Sequence, residues 1–457
     1  MQKERPGWRR RLQIPDRPSE WILVTGASGY IASQLVPRLL EKGYRIRCLV
    51  RNPDHLKYRS WISQVEVACG DLTEPESYKS AMIGISQAYY LVHSMASGDD
   101  YTDRDLLAAR DFSINARDAG IKHIIYLGGL ADPDELIARH MRSRIQSGDA
   151  LNAGGIPVTE FRASVIVGPG SISFEMIRYL TEQFPLIICP HWMPNLCQPI
   201  SIQNIVDYLL AALNQREGIN QVFEIGGTDV MRYADTMLRY AKIRGLSRKT
   251  LILPFNPVGI LAYFMSWLTP VPASITKPLV EGLKSSSIVK DSSALEAFPE
   301  IQMMDFVSSV RKSLSQLEPT LVEPLWRQDS LKFRAFKHAG FCIQQYQEFS
   351  KAKMDSILNR VKDSSKNWGK IEWEKVDQKI ADGRKQTILF QKSNQNLPGK
   401  LWREIRILEL GEEVQVSNTW LFAPDGAPGF LWWYLSTPLR KYIQKKNLNF
   451  CLSINPA

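Results

Sequence analysis

The sequence predicts an α/β fold: a doubly wound parallel sheet, followed by a smaller α+β unit in which a sheet grips a long helix. Three observations predict it. From Trp21 onward, apolar runs of strand length alternate with segments of helical period, the pattern of an open parallel sheet covered by helices. A glycine-rich turn, Val24-Thr25-Gly26-Ala27-Ser28-Gly29-Tyr30-Ile31-Ala32, joins the first such strand to the first such helix. Beyond residue 330 the order changes to an alternating stretch, a helix, further strands and a final apolar helix.

In chain order, strands are expected at 21–24, 45–50, 65–69, 88–92, 123–127 and 158–162. Between them, apolar residues recur at three and four over 31–41, 75–82, 104–119 and 134–153, which predicts helices. Past Gly168 the pattern is mixed, with helices expected at 174–183, 202–214 and 233–244, where a substrate-specific lobe would be inserted. The segment 318–330 carries Pro319 and Pro324 without periodicity and reads as a linker. The second unit, 331–457, opens with alternation over 333–346 and a helical stretch at 351–362. Strands at 370–376, 386–391, 402–410 and 414–422 and an apolar helix at 430–442 complete it. The division is thus a basic arm at 1–20, a parallel-sheet unit at 21–317, the linker, and the helix-grip unit.

A chain of 457 residues exceeds the usual size of one hydrophobic core, in keeping with two units. The net charge is +10, and residues 331–457 hold 21 Lys and Arg against 12 Asp and Glu, so the excess lies in the last third. That asymmetry suits an anionic membrane surface, an acidic protein partner, or merely a solvated face. No motif supports nucleic-acid binding. The six cysteines are widely spaced, with no CxxC pair and no His cluster at metal-ligand spacing, so neither a disulfide framework nor a metal site is expected. Residues 1–20 are polar and rich in Arg, without the apolar segment of a secretory signal, which predicts a cytoplasmic, reducing environment. The longest apolar runs, 258–268 and 429–435, fall short of the ~20 residues that span a bilayer.

The glycine-rich turn carries the chemistry. Gly26 permits the tight turn, Gly29 lets backbone approach a pyrophosphate, and Ala32 is small enough for helix to pack on sheet. The helix start supplies unpaired N–H groups and a positive dipole end to phosphate. In this strand–turn–helix context the motif marks a Rossmann-type unit that binds a nicotinamide dinucleotide, with Thr25, Ser28, Tyr30 and Ile31 completing the cradle. A carboxylate at the end of the second strand holds the ribose 2′-hydroxyl of NAD, whereas an Arg accepts a 2′-phosphate. The chain has Arg51 there, which favours NADP(H) over NAD(H). Asp71 and Leu72, after the third strand, are placed for the adenine region, or Asp71 serves as a simple turn residue. His93 and Ser94, at the end of the fourth strand, are candidates for the nicotinamide ribose, with a structural strand-capping His as the competing reading.

The run from Thr25 to Ala32, with Val50-Arg51, Gly70-Asp71-Leu72 and Tyr90-Leu91-Val92-His93-Ser94-Met95, resembles the atypical short-chain dehydrogenase/reductase superfamily, and in particular YbjT-type, NmrA-like bacterial proteins. The resemblance continues through Ile125-Tyr126-Leu127-Gly128-Gly129-Leu130 and Cys197-Gln198-Pro199-Ile200 and covers about residues 20–315. The stretch from Trp420 to Tyr434 is similar to the closing strand, turn and helix of the START-like domain those proteins carry. That resemblance implies an apolar ligand. Reductases of the superfamily use a YxxxK motif, in which Tyr donates the proton and Lys holds the ribose; here the corresponding residues are His140 and Arg144. His140 can replace the acid because imidazole titrates near neutrality, and Arg144 can act as a fixed cation. The competing reading makes both ordinary helix-surface residues of a protein that holds its cofactor without turnover. Leu127-Gly128-Gly129 also stands where the superfamily commonly has a substrate-binding Ser.

The sequence thus predicts an NADP(H)-dependent oxidoreductase of an apolar small molecule. The alternatives are an NADP(H)-sensing regulator or assembly factor with a protein partner, and peripheral membrane contact through Trp432, Trp433 and Tyr434 beside Arg440, Lys441, Lys445 and Lys446.

Overall fold

The computed structural model describes residues 20–57, 59–93, 101–131, 137–190, 193–214, 220–253, 259, 263, 268–269, 273–317, 333–338, 340–352, 354–364, 373–381, 386–410 and 413–452. The basic arm up to residue 19, the linker and Ser94 lie outside them.

The first strand, β1 (Trp21–Thr25), is apolar on both faces, with Ile22, Leu23 and Val24 fully buried, as a central parallel strand covered on two sides must be. It leads through the glycine turn into α1 (Tyr30–Glu41), then β2 (Arg45–Val50), β3 (Glu66–Cys69) and β4 (Ile85–Tyr90). Next come α2 (Tyr101–Asp118), β5 (His123–Gly129), α3 (Arg139–Asn152) and β6 (Val158–Ala163). The lobe that follows contains α4 (Ile172–Gln183), α5 (Ile202–Ala211), a further strand β7 (Gln221–Ile225), α6 (Tyr233–Ile243), α7 (Ala273–Gly282) and α8 (Phe306–Ser315).

These strands form one seven-stranded parallel sheet in the order β7-β6-β5-β4-β1-β2-β3. The chain leaves β1 toward one edge and returns at β4 toward the other, so the crevice at the carboxyl ends of β1 and β4 is where such sheets take ligands. Alternate side chains of β1 divide the core: Ile22 and Val24 pack with Leu35, Val36 and Leu39 of α1, while Leu23 packs with Phe112 of α2 and Leu151 of α3. His123 ties three strands together, its ring nitrogens lying 3.1 Å from Gln87 Oε1 and 2.9 Å from Thr159 Oγ1.

Two expectations are corrected here. The helix expected at 75–82 is a pair of 3₁₀ turns, Pro75–Ser77 and Lys79–Met82. The Ser77 hydroxyl donates to the Glu74 carbonyl and accepts from the Asp71 N–H, giving the backbone a local alternative to an α-helix. The strand β7 was not foreseen, because Val222 faces outward and the segment reads as half polar.

The second unit is a six-stranded antiparallel sheet with helices. Its strands are β8 (Phe333–His338), β9 (Phe341–Ser350), β10 (Trp373–Ala381), β11 (Gln386–Ser393), β12 (Gly399–Leu410) and β13 (Glu413–Pro424), in the order β8-β9-β13-β12-β11-β10. The alternation at 333–346 is therefore a hairpin, with His338 opposite Phe341. Helix α9 (Met354–Ser364) follows β9, and the single helix expected at 430–442 is two, α10 (Gly426–Leu435) and α11 (Thr437–Leu452), joined at Ser436. Phe430, Trp433, Arg440, Gln444 and Leu448 turn inward to the sheet, so Trp433 and Arg440 are core residues. The Arg440 guanidinium lies 3.6 Å from the Trp433 ring centroid, and its Nε donates to Gln344 Oε1 at 3.2 Å.

Helix α4 joins the two units. Glu182 Oε2 accepts from the Gly426 N–H at 2.9 Å, Arg178 Nη2 donates to the Gly340 carbonyl at 2.5 Å, and the rings of Tyr179 and Phe430 are 5.4 Å apart. Among the described residues, no helix is long and apolar enough to cross a membrane.

Candidate cofactor and substrate site

The turn between β1 and α1 is built around two glycines. Gly26 has φ +62°, and a Cβ there would stand 2.7 Å from the Leu91 carbonyl oxygen at the end of β4. Only glycine meets both demands. The Thr25 hydroxyl donates to the Tyr89 carbonyl and accepts from the Leu91 N–H, so its side chain staples the ends of β1 and β4. Gly29 is the N-cap of α1, in extended conformation, and no side chain caps this helix and no acid lies in its first turn. By contrast Ser171 caps α4, Ser201 caps α5 and Asp305 caps α8. The start of α1 therefore presents N–H groups and a positive dipole end to the crevice, the donor set a pyrophosphate requires.

The neighbours of the turn fix its shape. The Ser28 carbonyl accepts from Arg59 Nη2 at 2.9 Å, and Arg59 is buried. The Tyr30 hydroxyl is buried without a hydrogen-bond partner against Gly168, where any Cβ would collide with it. Burial, and then the Glu175 carboxylate, hold the Tyr30 pKa well above its ordinary value. Ile31 packs against the core. Arg51 is exposed just past the end of β2. Asp71 is engaged within its own turn, accepting from the Thr73 N–H at 2.9 Å and the Thr73 hydroxyl at 2.8 Å, and Leu72 is in the core. The uncapped helix and the glycine cradle together fit the pyrophosphate of a nicotinamide dinucleotide.

At the carboxyl end of β4 a second group assembles. His93 Nδ1 lies 2.9 Å from Asp105 Oδ2, and Asp105 is buried on α2. Burial lowers the His93 pKa and the Arg144 charge adds to this, while the Asp105 hydrogen bond works against both. His140, in the first turn of α3, is 5% exposed. A Cβ on Gly282, at the end of α7, would come within 2.7 Å of its ring. Burial first, then the charges of His93 and Arg144, push its pKa down to about 3, so its ring is neutral at ordinary pH. Arg144 Nη2 donates to the Leu127 carbonyl at 2.7 Å and Tyr126 Oη donates to the Arg144 carbonyl at 2.9 Å, which pins α3 to β5.

The structure thus brings His93, His140 and Arg144 to one place, whereas Arg51 and Asp71 lie on the far side of the glycine turn. Asp105, Arg59 and Gly282 were not foreseen. Asp105 had a signal: with Ala109, Phe112 and Ala116 it falls on the apolar stripe of α2, where a carboxylate needs a partner. Gly129, where a substrate-binding Ser was the alternative, packs so closely that a Cβ would stand 2.7 Å from Met141 Cε. Among the described residues, no group of three or more His, Cys, Asp or Glu stands where it could hold a metal ion, and the six cysteines form no disulfide.

Comparison with known proteins agrees with this geometry. Residues 26–151 match a family model described as NAD(P)H-binding. The chain is 26% identical over 257 residues to the Photosystem II assembly factor Ycf39 of Trieres chinensis, covering 54% of this chain and 77% of that protein. It is 29% identical over 141 residues to cinnamoyl-CoA reductase 1 of Arabidopsis thaliana, covering 28% of this chain and 41% of that protein. The fold is shared with the Citrobacter sp. triphenylmethane reductase solved in complex with NADP(H), at TM-score 0.52 and 20% identity, over 64% of this chain and 99% of that one. Residues 26–151 accordingly form an NAD(P)H-binding domain within a Rossmann-like α/β fold.

Proposed function

We propose that this protein is an NADP(H)-dependent oxidoreductase of the atypical short-chain dehydrogenase/reductase type, acting on a small apolar carbonyl or enone. The observation that carries the reading is one crevice, at the carboxyl ends of β1 and β4, holding both an uncapped helix start and the Asp105–His93 pair. A bound nicotinamide supplies or accepts a hydride. The chain's own residues do the rest. The N–H groups at the start of α1 hold the pyrophosphate, and Arg51 neutralises the 2′-phosphate. Asp105 orients His93 through Nδ1 and stabilises its imidazolium, which gives the Nε2 proton to substrate oxygen and regains a proton from solvent. His140 stays neutral and acts as a hydrogen-bonding neighbour, and Arg144 contributes a fixed positive charge beside the ribose. The antiparallel C-terminal unit, read as START-like, is the candidate holder of the apolar ligand.

The test is a fluorescence titration with NADPH and NADH on wild type and Arg51→Ala, followed by NADPH oxidation across a carbonyl and enone panel. Tighter NADPH binding that weakens selectively in Arg51→Ala, and turnover lost in His93→Ala, are expected. Equal affinity for both nucleotides, unchanged by the substitution, would overturn the cofactor assignment.

A second reading, an NADP(H)-responsive assembly factor, is favoured by the likeness to the Photosystem II assembly factor and by a His at 140 in place of a catalytic Tyr. It requires nucleotide binding without turnover, and a protein partner whose capture changes between NADP⁺ and NADPH.

A further inference from the structure

The last two helices carry an outward, exposed stripe of large side chains. Leu431, Tyr434, Leu435, Leu439 and Tyr442 are 60%, 49%, 74%, 61% and 63% exposed. They recur at helical spacing, and the register runs unbroken through the junction: the Ser436 N–H donates to the Trp432 carbonyl and the Arg440 N–H to the Ser436 carbonyl. The opposite stripe, through Phe430, Trp433, Arg440, Gln444 and Leu448, already covers the antiparallel sheet. Five large apolar side chains in one exposed row are more than scattered surface residues and mark an interaction surface.

Charge selects the occupant. Lys441, Lys445 and Lys446 are exposed along the same helix, and no Asp or Glu occurs anywhere from Gly426 to Leu452. An apolar row flanked by lysines, with no acid among them, is the composition of a helix lying in the interface of an anionic bilayer. A protein groove would need complementary pockets, whereas a fluid lipid surface adapts to an exposed apolar row.

We infer that α10 and α11 dock this protein on an anionic membrane surface, with Leu431, Leu435 and Leu439 entering the acyl boundary and the three lysines meeting lipid phosphates. Trp433 and Arg440 stay inside the protein, so the contact is made by a different set of residues from the tryptophan cluster that the sequence singles out. The inference does not rest on oxidoreductase activity.

The test is co-sedimentation of the full chain with phosphatidylcholine vesicles and with vesicles that also contain phosphatidylglycerol. Binding only to the anionic vesicles, weakening as salt rises, is expected. Lys441→Gln/Lys445→Gln/Lys446→Gln should lower the partition by roughly a hundredfold, about fivefold per lysine. Leu435→Ser/Leu439→Ser should abolish it, with melting temperature and NADPH titration as in wild type because both positions are exposed. Wild type remaining in the supernatant with both vesicles, or binding that neither variant changes, would overturn the proposal. So would a lipid-free dimer that Leu435→Ser/Leu439→Ser converts to monomer, since the stripe would then be covered by a second copy of the chain.

Discussion

His93 and Asp105 meet at 2.9 Å across the crevice, one at the end of β4 and the other on the buried stripe of α2. Burial alone would leave His93 a poor base, and the Asp105 carboxylate is the group that works in the opposite direction. Asp105→Asn removes that charge while keeping shape, so the His93 pKa should fall further. A ¹⁵N imidazole titration reads this directly. If a substrate is found, turnover should fall on the order of a hundredfold with cofactor affinity unchanged. An unmoved His93 titration would show that the contact is only structural.

Gly26 and Gly29 should respond to substitution in opposite ways. Gly26→Ala meets a positive φ and the Leu91 carbonyl together, so it should cost about 2 kcal/mol or more of stability. Gly29 has φ −78°, which any residue adopts, and the cap that an Asp there would give α1 offsets a Cβ contact of 3.0 Å with the Gly26 carbonyl oxygen. Gly29→Asp should therefore melt near the wild-type temperature yet bind NADPH on the order of a hundredfold more weakly, since its carboxylate stands where phosphate is held. Calorimetry paired with titration separates the two, and full NADPH affinity in Gly29→Asp would displace the cofactor from this turn.

The first third of the fold was legible because each of its signals is local. A run such as Ile22-Leu23-Val24 is apolar on both faces, and glycines at 26 and 29 follow it directly. The site was legible only in pieces. His93, His140 and Arg144 could be named, but their meeting depends on the path of α2 and α7, which bring Asp105 and Gly282 from distant positions. The turn at Asp71 was ambiguous because an Asp that meets adenine and an Asp that binds its own Thr73 look alike in sequence. In the C-terminal unit, the inward and outward stripes of α10 and α11 are both rich in large side chains, so only the structure decides that Trp433 is core and Leu435 is surface.

Two buried histidines should make the protein acid-sensitive. Burial pushes His123 down to about 4 and His140 down to about 3, against an ordinary value near 6.5. Below 6.5 the unfolded chain takes up protons that these rings in the folded chain refuse. Stability from this source is full above pH 6.5, is lost progressively as pH falls toward the folded values, and amounts to about 8 kcal/mol in all. Melting curves of wild type and His123→Gln between pH 7 and 4 test this: the loss should be shallower in the variant by about 3 kcal/mol. Parallel curves would place the acid sensitivity elsewhere.

Glu182 should decide whether the two units melt together. Its buried carboxylate accepts from Tyr240 Oη at 2.6 Å, Arg244 Nε at 2.8 Å and the Gly426 N–H at 2.9 Å. Burial opposes its charge, but Arg178, Arg244 and these hydrogen bonds outweigh burial and hold its pKa below the ordinary value. Glu182→Ala strands the Gly426 N–H at the start of α10 and leaves Arg244 with Asp425 as its acidic partner, 2.7 Å away and largely exposed. Removing one partner from such a buried network costs about 3–5 kcal/mol, and here the loss falls on the joint rather than on either core. The variant should therefore melt in two calorimetric transitions where wild type shows one, the lower belonging to the C-terminal unit. NADPH affinity should persist through the first transition, because the glycine turn draws its geometry from β1, β4 and α1. A single transition at the wild-type temperature would mean that Tyr179, Phe430 and the Arg178–Gly340 contact hold the joint without Glu182.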